Sequence, residues 1–138
     1  MLHYPEHLGS LAQGLASMGD VAAAATIVDE TLARADRHGA HWYVAEYLRI
    51  KGEVILLAGG SQSRSEAEDC FSRGLTIANE QEALFWELRG ALSLARLWIG
   101  QDRHEDARNV LLPVYRRFTE GLETTDLRSV REVLGLLD

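Results

Sequence analysis

The chain has 138 residues, 46% of them hydrophobic, 25% charged and 7% aromatic, which describes one globular domain or a short repeat array and excludes disorder as the default. With 14 basic against 21 acidic residues its net charge is -7, so a nucleic-acid backbone is repelled on average and no nucleic-acid partner is expected. No uncharged run approaches the roughly 20 residues of a spanning helix, and no basic n-region precedes an apolar run, so neither a membrane span nor a secretion signal is expected.

Apolar residues recur at helical spacing almost throughout, and strict alternation with β-branched residues is missing, so the expected class is all-α. Punctuation by Gly, Ser, Asp and Asn cuts the chain into helices at about 5–18, 20–37, 40–58, 63–79, 82–99, 103–119 and 124–137. Pro5 suits the opening turn of the first helix, where its missing donor costs nothing. Ser63 stands three residues before Glu66, the spacing of a capping box, and Thr124 or Thr125 precedes the last helix. Pro113 falls inside the sixth; it removes one backbone donor and clashes one turn back, so a local bend is expected there.

Self-similarity organises these helices in pairs. The windows Ala24-Val28-Thr31, Ala67-Phe71-Gly74 and Ala107-Leu111-Val114 share one spacing. Each follows a helix with its own pattern: Leu8-Leu11-Ala12-Leu15, Leu48-Lys51-Gly52-Ile55 and Ala91-Leu94-Ala95-Trp98. Two helices approach closely only where small side chains face each other and large ones fill the flanking gaps, which makes Gly52 and Ala95 the expected contact points. The spacing resembles that of the tetratricopeptide repeat (TPR). Lys51 departs from it at a leucine position, as does the insertion Gly59-Gly60-Ser61-Gln62-Ser63.

The strings from Glu46 to Glu53, Ala67 to Phe71, Leu92 to Trp98 and Leu111 to Gly121 further resemble the carboxy-terminal TPR region of large bacterial signalling proteins and transcriptional regulators of the cyclase and ATPase type. That resemblance implies a right-handed TPR-like solenoid over residues 1–138, with hairpins at about 5–37, 40–79 and 82–119 and a capping helix at 124–137. It implies a protein-interaction module, and no ATPase or cyclase motif is present to carry activity over. In such arrays the first helix of each pair lines a concave face, which puts Glu46, Arg49 and Glu53 in the groove, with Arg89, Leu92 and Arg96 opposite, and Glu6, Gly9 and Gln13 on the first helix. A mixed-charge groove for a protein or peptide partner is one reading; a ladder of Glu46, Arg49 and Glu53 along one helix is the other. Packing between repeats falls to Leu48, Gly52, Ile55, Ala67, Phe71, Gly74, Ala91, Ala95, Trp98, Ala107 and Leu111.

Other residues invite blander readings. No Walker-type, nucleophile-elbow or His-Glu-x-x-His motif occurs, and no enzyme, metal or cofactor is expected. His3 and His7 share a spacing that would fit a metal but belong to a polar terminus, and His38 and His41 straddle a Gly turn as helix-end caps. Cys70, the single cysteine, reads as a core residue in a reducing cytoplasm. Trp42, Tyr43, Tyr47, Phe85, Trp86, Trp98, Tyr115 and Phe118 read as wedges between helices. The closing helix carries a polar outer face, whereas Tyr4, Leu8, Leu11, Leu15 and the run Val21 to Val28 leave the amino-terminal hairpin apolar, so a homodimer through that hairpin is expected. The alternative to a peptide groove is therefore a dimerising or purely structural segment.

Overall fold

A computed structural model describes residues 14, 19–38, 43–122 and 124–137. Among these residues the protein is all-helical, with six helices and no strand. They are α1 (Val21–His38), α2 (Val44–Ala58), α3 (Ser63–Glu80), α4 (Leu84–Ile99), α5 (His104–Tyr115) and α6 (Thr125–Leu136). The helix expected at about 5–18, the histidines His3, His7 and His41, and Trp42 lie outside the described residues, apart from Gly14 within that helix.

The boundaries follow local chemistry. Asp20 accepts the Ala23 backbone N–H at 3.2 Å, closing the start of α1 as an N-cap should. Ser63 corrects the capping-box expectation. It is already the first helical residue, Gln62 occupies the cap without a side-chain hydrogen bond, and the Gln62 carbonyl accepts the Glu66 N–H at 3.0 Å. Thr124 does take the cap position of α6, in extended backbone and again without a side-chain bond. Helix α5 runs through Pro113 and ends at Tyr115, earlier than the expected 119. Between α2 and α3 the inserted Gly59 and Gly60 have φ of 75° and 112°, a left-handed path that only glycine takes without strain.

The helices form two layers. Helices α2 and α4 pack on each other, as do α4 and α6, while α1 packs on α2, α3 on α2 and α4, and α5 on α4 and α6. Within the described residues the backbones of α1, α3 and α5 do not approach one another closely. One layer is therefore continuous and the other is splayed. Between them lie three apolar clusters: Val28, Tyr47 and Ile50 join α1 to α2, Ala67, Phe71 and Leu94 join α3 to α4, and Leu88, Leu111, Leu127 and Val130 join α4, α5 and α6.

The expected repeat contacts have identifiable neighbours. Of the eleven packing residues only Ile55 and Trp98 are less than fully buried. A Cβ on Gly52 would stand 2.8 Å from Phe71 Cδ1, and one on Gly74 would stand 2.8 Å from the Ala45 carbonyl oxygen, so both glycines sit where two helices close on each other. Lys51, at the position where the repeat spacing expects leucine, is partly exposed, and its ammonium reaches Asp29 of α1 at 3.2 Å, the charge staying at the rim.

Candidate functional site

The face of the continuous layer carries the site. Arg49 and Glu46 are three residues apart on α2, and the guanidinium donates to both carboxylate oxygens, Nε to Oε1 at 2.8 Å and Nη2 to Oε2 at 2.9 Å. From α4 the Arg89 Nη1 donates to the same Glu46 at 2.6 Å, and its Nε donates to Asp126 of α6 at 3.2 Å. Four charges from three helices thus form one chain, Arg49, Glu46, Arg89, Asp126, with the Glu46 and Arg49 side chains nearly buried at 13% and 12% exposure. Burial by itself would lower the Arg49 pKa; the hydrogen bond and charge of Glu46, with Glu53 and Asp126 beyond it, outweigh that and raise it above its ordinary value.

Beside this chain lies a cleft of about 330 Å³. Helix α2 contributes Arg49, Glu53 and Leu57, α4 contributes Arg89, Leu92 and Arg96, and α6 contributes Asp126 and Ser129. Four of the five charged residues expected in a groove from α2 and α4 line it, Glu46 stands behind them as the acceptor shared by two arginines, and Glu6 lies outside the described residues. Arg96 is exposed and, like Glu53, forms no hydrogen bond or ion pair among the described residues. The ladder reading is realised in its first rung, Glu46 with Arg49; its second rung, Arg49 with Glu53, is not a hydrogen bond. Asp126 is the member that the sequence reading missed. It lies on the closing helix, read there only as carrying a polar outer face, and nothing local to it signals an arginine 37 positions away.

Two further polar clusters tie helix ends together. Glu87 on α4 is 5% exposed and accepts from Arg117 Nη1 at 2.8 and 2.9 Å and from Asn79 Nδ2 at 3.2 Å. Glu68 on α3 accepts the Trp98 indole N–H at 2.9 Å and Arg103 Nη1 at 3.1 Å, while the Arg103 guanidinium lies 4.6 Å from the centre of the Trp98 ring, a cation–π contact. Each group is satisfied within the chain, so both are joints.

The aromatic set divides. Tyr43 and Tyr47 are buried edge-to-face at 5.5 Å, whereas Phe85 is 49% exposed and meets Phe118 edge-to-face at 5.1 Å. Cys70 is buried, and that burial raises its thiol pKa. Among the described residues no three His, Cys, Asp or Glu side chains are grouped to hold a metal ion, and no helix is long and apolar enough to cross a membrane.

No protein-family model, no curated protein and no solved structure matches the chain.

Proposed function

We propose that the chain is a TPR-like helical repeat, a right-handed solenoid of three hairpins and a capping helix, acting as a protein-interaction module of a bacterial cytoplasmic signalling or transcriptional regulator. The observation that carries this reading is the cleft itself. It runs across α2, α4 and α6, the layer that the repeat register assigns to the concave face, and it holds Arg96 and Glu53, which form no hydrogen bond or ion pair among the described residues, beside Leu57 and Leu92. A peptide lying there meets a mostly polar surface with these two charges and two leucines, the combination that gives a groove both orientation and affinity. The alternation of contacts between layers and the Gly52–Phe71 approach are the packing that such a repeat requires.

A second reading, a dimerising or structural segment that takes no peptide, is favoured by the internal pairing of Glu46, Arg49, Arg89 and Asp126. The first helix of the amino-terminal hairpin proposed for dimerisation lies, apart from Gly14, outside the described residues. The two readings separate in a selection of random heptapeptides displayed on phage against the purified full chain. Enriched peptides that lose binding to Arg96→Glu and Arg89→Glu support the groove. Enrichment indifferent to both substitutions, or none at all, overturns it and leaves the structural reading.

A further inference from the structure

We propose that the cleft takes an extended acidic segment with two carboxylates three residues apart, one displacing Asp126 from Arg89 and the other seating on Arg96. This inference rests on the peptide-groove reading and gives the partner's chemistry.

The argument starts from spacing along α4. Arg89 and Arg96 are seven residues apart, so they share a face about two turns and roughly 10.5 Å apart along the axis, and both line the cleft. A segment in the extended polyproline conformation rises 3.1 Å per residue with three residues per turn. Its positions i and i+3 therefore point the same way about 9 Å apart, a match that the flexible arginine stems close. Between the two arginines lies Leu92, and Leu57 stands exposed on the α2 rim, which suits apolar residues between the two acids.

The chain itself shows a carboxylate seated on the first arginine, for Asp126 Oδ2 accepts from Arg89 Nε at 3.2 Å with its side chain 32% exposed. Helix α6 does not depend on that bond. Leu127, Val130 and Val133 anchor it in the core, so the Asp126 side chain can rotate away while α6 stays docked. Charge supplies the direction. Three arginines, Arg49, Arg89 and Arg96, face three carboxylates, Glu46, Glu53 and Asp126, and the site is balanced only while Asp126 points inward. An acidic segment finds two arginines, one open and one held by an exchangeable partner. A basic segment finds Glu53, whose charge already acts on Arg49, and Asp126, held by Arg89, since Glu46 is engaged by Arg49 and Arg89; neither carboxylate is as open as Arg96.

The test uses a fluorescein-labelled peptide bearing Glu-Pro-Pro-Glu, with Glu-Glu-Pro-Pro as the spacing control, titrated against the full chain by fluorescence anisotropy at low salt, where such contacts are least screened. Arg96→Glu, at an exposed position, should weaken binding at least about tenfold. Asp126→Asn, which leaves the apolar anchors of α6 intact, should tighten it about two- to fivefold by removing the internal competitor. The spaced peptide should bind more tightly than its control. Equal binding of the two peptides, or an Asp126→Asn variant that binds no more tightly than the parent, overturns the proposal. If peptides from the phage selection need Arg96 while Glu-Pro-Pro-Glu does not bind, this inference falls and the groove reading stands; if no selected peptide needs Arg96, both fall.

Discussion

Glycine sets the closest approaches in this protein. Adding a Cβ to Gly52 places it 2.8 and 2.9 Å from Phe71 Cδ1 and Cζ, against a ring that is fully buried. Gly52→Leu should therefore cost about 1–3 kcal/mol, seen as a lower midpoint in urea or thermal melts. Gly74→Ala meets backbone, the Ala45 carbonyl oxygen at 2.8 Å, which cannot swing aside as a ring can, so a single methyl should also lower the midpoint there. Cys70 offers a pH-dependent test. Burial is the largest cause of its raised pKa, which lies above the ordinary 9.0. At pH 8 the folded protein thus holds less thiolate than the unfolded chain, and iodoacetamide should alkylate it at least about tenfold more slowly than in urea. The sign for stability follows. The unfolded thiol ionises first as pH rises, so the contribution is complete below the unfolded pKa and is lost as pH climbs through it towards the folded value.

At the scale of elements, charged joints set how helix ends meet. Glu87 is held by Asn79 at the end of α3 and by Arg117 just after α5, so one carboxylate fastens three segments. Arg117→Ala would leave that carboxylate buried with only an amide donor. The expected loss is about 1–3 kcal/mol, since Arg117 is itself half-exposed and solvent recovers part of the interaction. Chemical denaturation of the variant checks the value, and an unchanged midpoint would show that water replaces the guanidinium. Lys51 illustrates the same principle: its ammonium pairs at 3.2 Å with Asp29 of the preceding helix α1, so this charge also meets a neighbour across a helix contact.

At the scale of the whole molecule the described helices differ in how many neighbours hold them. Helix α4 packs on α2, α3, α5 and α6, whereas among the described residues α1 packs only on α2 and α6 on α4 and α5. Local opening starts from the elements with the fewest packing partners. Amide hydrogen exchange should therefore be slowest in the centre of α4 and faster in both α1 and α6. Uniform protection across the six helices would instead indicate a single cooperative core.

The all-helical class was legible in the sequence because helix formation is local. The 3.6-residue period marks each apolar face, and the recurrence of small residues at Gly52, Gly74, Ala91 and Ala107 marks where faces meet; all four are buried. Cap chemistry at Ser63 and the end of α5 were less legible, since a shift of one turn or less leaves the periodic pattern unchanged. The groove arginines could be placed on one face of α4 by counting along the helix. Their partners could not. Asp126 on Arg89, Arg117 on Glu87 and Glu68 on Trp98 span 37, 30 and 30 residues, and no sequence period links such positions. Only the packing of α3, α6 and the turn after α5 against α4 brings those side chains within hydrogen-bond reach, because side-chain pairing depends on the distance between helix axes. The sequence alone thus determined which residues each described helix turns toward its neighbours, and tertiary packing decided which charges pair and which, Arg96 and Glu53, have no hydrogen bond or ion pair among the described residues.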